Sequence, residues 1–344
     1  MRFEQYPAVA WLATVSGGEG SLLPREALDF EGTRFLGIAP TGLGRDPIRV
    51  FAGVRSADTI EERCRLAVAE LERLGAFERA RILVCSATLR GYVSPVPVEA
   101  EEHLSGGDVA SVVVQYFDRR TWLMPAKVPV AARTHRELLR ALQERLAGVE
   151  DPPEVAIYGE SLGAWASQNV FRVGGVRSLD AAGVARALWI GTPFFSLLAR
   201  RLQKGQLPSD SRVGFVSAKE LVAGEEKRSG LRFVFLGRGT DPVTLFPGLE
   251  LLWRRPEWLG PGDWTPGVTF VQTLADLMAA TRWPGSAPRA LAHDYRLEGP
   301  AAVDLAMGHH ADREALTELA DLLVRRELER GARLRRLRRG EPEG

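Results

Sequence analysis

Cysteine is almost absent from this chain: Cys64 and Cys85 are the only two in 344 residues. They stand 21 positions apart with no Cys-x-x-Cys pair and no matching histidine spacing, which excludes a disulfide framework and a zinc site. They read as two buried, reduced thiols acting as small hydrophobes. Excess charge of either sign is equally scarce. Lys+Arg number 45 against 44 Asp+Glu, a formal +1, so the overall field gives no reason to expect a nucleic-acid partner. Long apolar runs are missing too. The stretch PAVAWLATV (7–15) has nine residues and follows Glu4, too short for a membrane span and without the basic flank of a signal peptide. A cytoplasmic location is therefore expected. No Gly-x-Gly-x-x-Gly or Walker pattern follows a candidate strand, which argues against a nucleotide-binding protein. Histidines number five, so the search for a general base is short.

What the chain does have is 45% hydrophobic residues in short β-branched runs separated by helical patterns. Strands are predicted at 48–54, 81–87, 109–116, 154–159, 185–191 and 231–237. Between the first two, residues 58–75 place Ile60, Cys64, Ala67, Leu71 and Leu74 at helical spacing, and residues 132–147 repeat that amphipathic pattern. Strands apolar on both faces, alternating with amphipathic helices, imply a mostly parallel sheet covered on both sides: a doubly wound α/β fold. Residues 1–30 read as an extension and 31–330 as the domain. Within it, 239–290 breaks the rhythm with Pro, Gly and the tryptophans Trp253, Trp258, Trp264 and Trp283, which need burial in a lid or pocket wall. A last helix is predicted over about 312–329. The basic tail 331–344 reads as a solvated helix end, with contact to an anionic membrane surface as the alternative, which would make the protein peripheral to a membrane.

In a doubly wound sheet, chemistry gathers in the loops after the carboxyl ends of strands. One such loop holds Gly-Glu-Ser-Leu-Gly, residues 159–163, between the strand EVAIYG and the helical run LGAWASQNVFR. This is the strand–turn–helix context of a nucleophile elbow, in which the glycines let neighbouring backbone close on a strained serine. Ser161 is the candidate nucleophile, and the Leu162 amide at the helix start is a candidate oxyanion donor. A serine hydroxyl needs a base and an orienting carboxylate, which in this fold class follow in the order Ser, Asp, His. Asp241 lies in the loop after the strand LRFVFLG and is the preferred acid, although Asp-Pro is also a turn former. Asp263 and Asp276 are weaker candidates. Downstream bases are His293 and the pair His309 and His310, which local reading leaves open; His103 and His135 precede the serine and read as structural. A second oxyanion donor is expected from the loop after RILVCSA, among Ser86, Ala87 and Thr88.

Together the segments PIRVFAGVRSADTIEERCRLAVAELERLGAF (47–77), GGDVASVVVQY (106–116), YGESLGAW (158–165), ALWIGTPFF (187–195), DPVTLFPGLELLWRRPEWL (241–259) and AHDYRLEGP (292–300) resemble a bacterial α/β-hydrolase catalytic-domain family that often follows an N-terminal multi-helix membrane region. The resemblance runs over roughly residues 31–325. It implies Ser161 as nucleophile and Asp241 as acid. It also favours His293 over His310, because His293-Asp294-Tyr295 stands where the family has a His-Asn-Tyr-like stretch. Two departures are visible: the membrane region is missing, and SATLRGYV replaces a Thr-Gly-rich loop after the ILV strand.

The expectation is a serine esterase or lipase-like hydrolase that cleaves a small-molecule ester or lipid through an acyl-enzyme, with no cofactor or metal. Acyl transfer by the same residues is the enzymatic alternative. A non-catalytic protein of the same fold that binds a lipid or partner is the alternative of another class.

Overall fold

The structure, a computed structural model, describes residues 13–37, 43–88, 91–117, 128–223, 230–245, 248–255, 262, 264–279 and 293–338. Seven strands form one parallel sheet: β1 Ile48–Ala52, β2 Arg81–Ser86, β3 Val109–Val114, β4 Glu154–Glu160, β5 Val184–Ile190, β6 Val213–Ser217 and β7 Phe233–Gly237. Their order is β1-β3-β2-β4-β5-β7-β6, so β4 is central.

Alternating side chains divide between two cores, as the two-residue strand period requires. Val50, Ile82, Val84, Val112, Ile157, Trp189 and Phe235 pack on one face. Phe51, Leu83, Val113, Tyr158, Leu188 and Leu236 pack on the other. The first face carries α2 Ile60–Arg73, α4 Val128–Leu146, α5 Leu162–Gln168, α6 Val176–Ala181 and α7 Leu197–Gln203. The second carries α1 Phe30–Gly37, α3 Pro95–Leu104, α8 Ala218–Ala223, α11 Gly299–Met307 and α12 Arg313–Arg338. Between β7 and α11 come α9 Pro242–Leu245, a 3₁₀ turn Gly248–Leu252 and α10 Val268–Ala279.

Local chemistry accounts for the elements. In α2, Thr59 caps the start by accepting from the Glu62 amide. Cys64, Ala67, Val68 and Leu71 then line one face, and Gly75 at φ +77° ends the run. Cys64 and Cys85 are unpaired and buried, and burial pushes the Cys64 thiol up to about 12. In β1 the fully buried Arg49 donates to both oxygens of Glu102 on α3 (2.6 and 2.7 Å) and to the Phe35 carbonyl (2.6 Å), fastening α1 and α3 to the strand.

Three expectations about layout need correction. The strand β6 has no counterpart among the predicted ones, because Gly214 and half-exposed edge positions dilute its apolar signal. The last helix continues through Arg338, and Arg330, at the border of the expected solvated tail, is paired with Glu99 of α3. Residues 14–16 run beside β1 through Arg49 N–H to the Thr14 carbonyl and Ser16 N–H to the Arg49 carbonyl, and Leu23 is fully buried in the core. The described part of the extension, from residue 13 on, therefore packs against the domain. No helix among the described residues is long and apolar enough to cross a membrane.

Candidate active site

Because every strand runs the same way, the carboxyl ends of β2, β4, β5 and β7 share one edge of the sheet, and Ala87, Ser161, Gly191 and Asp241 follow them there. Ser161 occupies the turn between β4 and α5 at φ +54°, ψ −123°. A side-chain-bearing residue held so far from its preferred backbone costs on the order of 1–3 kcal/mol and persists where surrounding structure enforces it. The enforcement is visible. Ser161 N–H donates to the Ile190 carbonyl (2.9 Å) and its own carbonyl accepts from Trp165 N–H (3.1 Å). A Cβ on Gly159 would lie 2.9 Å from the Ala164 nitrogen, and one on Gly163 would lie 2.1 Å from the Ser86 carbonyl oxygen. Both glycines are sterically required.

Asp241, fully buried, receives three hydrogen bonds. His293 Nδ1 donates to Oδ2 (2.7 Å), the Tyr295 hydroxyl donates to the same oxygen (2.6 Å), and Val243 N–H donates to Oδ1 (2.9 Å). The Asp-Pro turn and the orienting carboxylate are thus one structure: Oδ1 closes the turn and Oδ2 faces the imidazole. His293 is 6% exposed, and among the described residues its buried Nε2 has no hydrogen-bond partner. Burial works against the charged imidazole, but the Asp241 carboxylate, backed by Glu160 and Asp294, outweighs it and holds the His293 pKa above its ordinary value. Gly191, at φ +57° just after β5, supplies the seat. A Cβ there would stand 2.5 Å from His293 Cε1 and 3.1 Å from Tyr295 Cε2. Since Ile190 bonds the Ser161 amide, this seat adjoins the elbow directly.

His310 is not brought to this site. It is exposed, at φ +60° in the link between α11 and α12, and His309 Nε2 pairs with Glu101 (2.7 Å) beside Arg81. Arg81 and Glu154 open β2 and β4, so the pair sits at the amino-terminal edge of the sheet, a strand length of about 20 Å from the elbow. Asp263 lies outside the described residues, as does the side chain of Asp276.

The oxyanion candidates separate as well. Thr88 N–H donates to the Tyr92 carbonyl (2.8 Å) in a turn closed by Gly91 N–H to the Thr88 carbonyl (2.8 Å), so its amide is committed elsewhere. Among the described residues the amides of Ala87 and Leu162 donate no hydrogen bond. Ser86, buried, uses its hydroxyl within the fold, bonding the Gly163 carbonyl (2.6 Å) and His135 Nε2 (2.7 Å).

Sequence reasoning did not single out Gly191, Tyr295 or Glu160. Glu160 accepts from the Tyr158 hydroxyl (2.9 Å), and burial raises its carboxyl pKa against the pull of His293. The alternation Tyr158-Gly-Glu160 on one strand was the available signal for the last. The expected aromatic wall also differs. Trp253 is 66% exposed, Trp264 is partly buried with its indole N–H on the Leu251 carbonyl, and Trp258 and Trp283 lie outside the described residues. The aromatics beside the elbow are instead Trp165 of α5 and Phe194 and Phe195 after β5, with Trp165 and Phe195 edge to face at 4.4 Å.

Among known proteins, no curated protein and no solved structure matches this chain. A family model described as the alpha/beta-hydrolase family matches residues 48–315, spanning β1 to the start of α12. With the parallel sheet, the strained serine after its central strand and the buried Asp241–His293 pair, that match over most of the length means the chain belongs to the α/β-hydrolase family.

Proposed function

We propose that this hydrolase is a serine esterase that cleaves a carboxylic ester by way of an acyl-enzyme. Ser161 Oγ attacks the acyl carbon while His293 Nε2 takes its proton. Asp241 holds Nδ1–H and stabilises the imidazolium that forms. The amides of Leu162 and Ala87 bind the negative oxygen of the tetrahedral intermediate. His293 returns the proton to the leaving alcohol, and a water activated by the same nitrogen releases the acid. Thr88, whose amide bonds Tyr92, has no part in this scheme. Trp165, Phe194 and Phe195 supply an apolar wall suited to an acyl chain.

The single observation that carries the reading is the backbone of Ser161, the one non-glycine residue besides His310 with positive φ among the described residues, held between two glycines that admit no side chain. Strain of that kind has no evident structural use and has a clear chemical one: it lifts a hydroxyl clear of the sheet. The test is labelling by a fluorophosphonate read by intact mass. Wild type and His310→Ala are expected to take one adduct, and Ser161→Ala and His293→Ala none. A folded wild type that takes no adduct would overturn the hydrolytic scheme.

A further inference from the structure

The pair Ser86 and His135 has no role in the scheme above, yet it is placed where that scheme is most sensitive. Ser86 ends β2 and immediately precedes Ala87; Gly163 immediately follows Leu162. The Ser86 hydroxyl therefore bridges the two backbone segments that carry the two oxyanion amides, through its 2.6 Å bond to the Gly163 carbonyl. A hydroxyl has one proton. With that proton on Gly163, the 2.7 Å contact to His135 is donated by the ring Nε2–H, and the Ser86 oxygen accepts it. This requires the Nε2–H tautomer, and the other ring nitrogen, Nδ1, has no hydrogen-bond partner among the described residues. His135 and Ser86 are both buried, so no water competes for these bonds, and burial keeps the imidazole neutral.

Contact across the same seam is as tight in the backbone. The space where Gly163 would carry a Cβ is filled by the Ser86 carbonyl oxygen, 2.1 Å away, with the Ala87 carbonyl carbon at 3.5 Å. His135 comes from α4, whose contacts with α5 bring it under the elbow helix. A third element is thereby tied to the seam.

We propose that Ser86 and His135 are positioning residues, a clasp that fixes the loop after β2 against the elbow and so sets the spacing of the Ala87 and Leu162 amides. This rests on the esterase reading. Neither side chain reaches the reacting atoms. His135 orients the Ser86 hydroxyl, and Ser86 holds the two donor segments at the separation that a tetrahedral oxyanion needs.

The experiment compares Ser86→Ala, His135→Phe and His135→Gln with wild type, using p-nitrophenyl acyl esters for kinetics, fluorophosphonate labelling, and thermal melting to establish folding. Losing one oxyanion donor lowers turnover about 10²–10³-fold, so loosening its support is expected to lower kcat by about 10- to 100-fold in Ser86→Ala and His135→Phe. KM should stay within about twofold, and the acid limb of the pH profile should not move, because His293 and Asp241 are untouched. Gln at 135 offers an N–H to the Ser86 oxygen and should recover most of the loss. Folded variants with kcat within about twofold of wild type, a Gln variant no better than Phe, or a loss accompanied by a shifted acid limb would each overturn the clasp. If Ser86→Ala does not fold, the two His135 variants carry the comparison. A wild type without adduct or turnover overturns the esterase reading and the clasp with it, whereas an active wild type matched by its variants overturns the clasp alone.

Discussion

Gly191→Ala tests the seat of His293, with a lesser push on the Tyr295 ring 3.1 Å away. The added methyl carbon would stand 2.5 Å from His293 Cε1, where ordinary contact begins near 3.4 Å, so the imidazole must retreat by about 1 Å. Displacements of that size cost about 10²-fold in rate when they move a reacting group. The substitution also places alanine at φ +57°, which by itself costs about 1–2 kcal/mol of stability. Gly205 provides the matched control: it sits at φ +63° after α7, and a Cβ there meets nothing within 4 Å. Both variants should therefore melt a few degrees below wild type, while only Gly191→Ala should lose about two orders of magnitude in kcat/KM and in fluorophosphonate labelling rate. The assay is ester turnover and adduct formation measured beside thermal melting for both proteins. A Gly191→Ala protein that labels as fast as Gly205→Ala would refute the claim that His293, held in this seat, is the base.

Tyr295→Phe removes one of two donors from Asp241 Oδ2, and a hydrogen bond to a charged group contributes about 1.5–3 kcal/mol. Melting should fall accordingly, and turnover should drop less than in Asp241→Asn, which also costs His293 its orienting charge. His293 must be neutral to accept the serine proton, and its pKa is raised, so the midpoint of the acid limb of kcat/KM should lie above 6.5; Asp241→Asn should move it toward acid. In stability the sign is opposite: the charged His293–Asp241 pair contributes fully below about pH 6.5 and fades as pH rises through the folded-state value. His135 is held down to about 4 by burial, so the unfolded chain binds the extra proton between pH 6.5 and 4, and stability is lost as the pH drops from 6.5 to 4, by about 3 kcal/mol in all. His135→Phe should flatten that part of the melting profile, and an unchanged slope would count against a neutral buried imidazole.

Much of this architecture is legible in the chain itself. Strand and helix periods are local properties, and so the covered parallel sheet, the elbow at residues 159–163 and the loop bearing Asp241 can all be read from neighbouring residues. Strand β6 cannot, because most of its positions are only partly buried and Gly214 interrupts what signal remains. Nor can the base be chosen by local reading, since a histidine before a late helix looks alike at 293 and at 310. The family resemblance leans toward His293, and the tertiary structure separates the two by carrying α11 from one edge of the sheet to the other. The oxyanion donor is a similar case: Ala87 and Thr88 are adjacent in sequence, and only the return of Tyr92 onto Thr88 distinguishes them. Sequence by itself determined the fold class, the candidate nucleophile and the candidate acid, because each depends on a pattern within about a dozen residues. Tertiary structure alone decided what faces what: Gly191 under His293, Tyr295 on Asp241, and Ser86 with His135 across the elbow. Those contacts join residues tens to a hundred positions apart, and no periodicity along the chain encodes them.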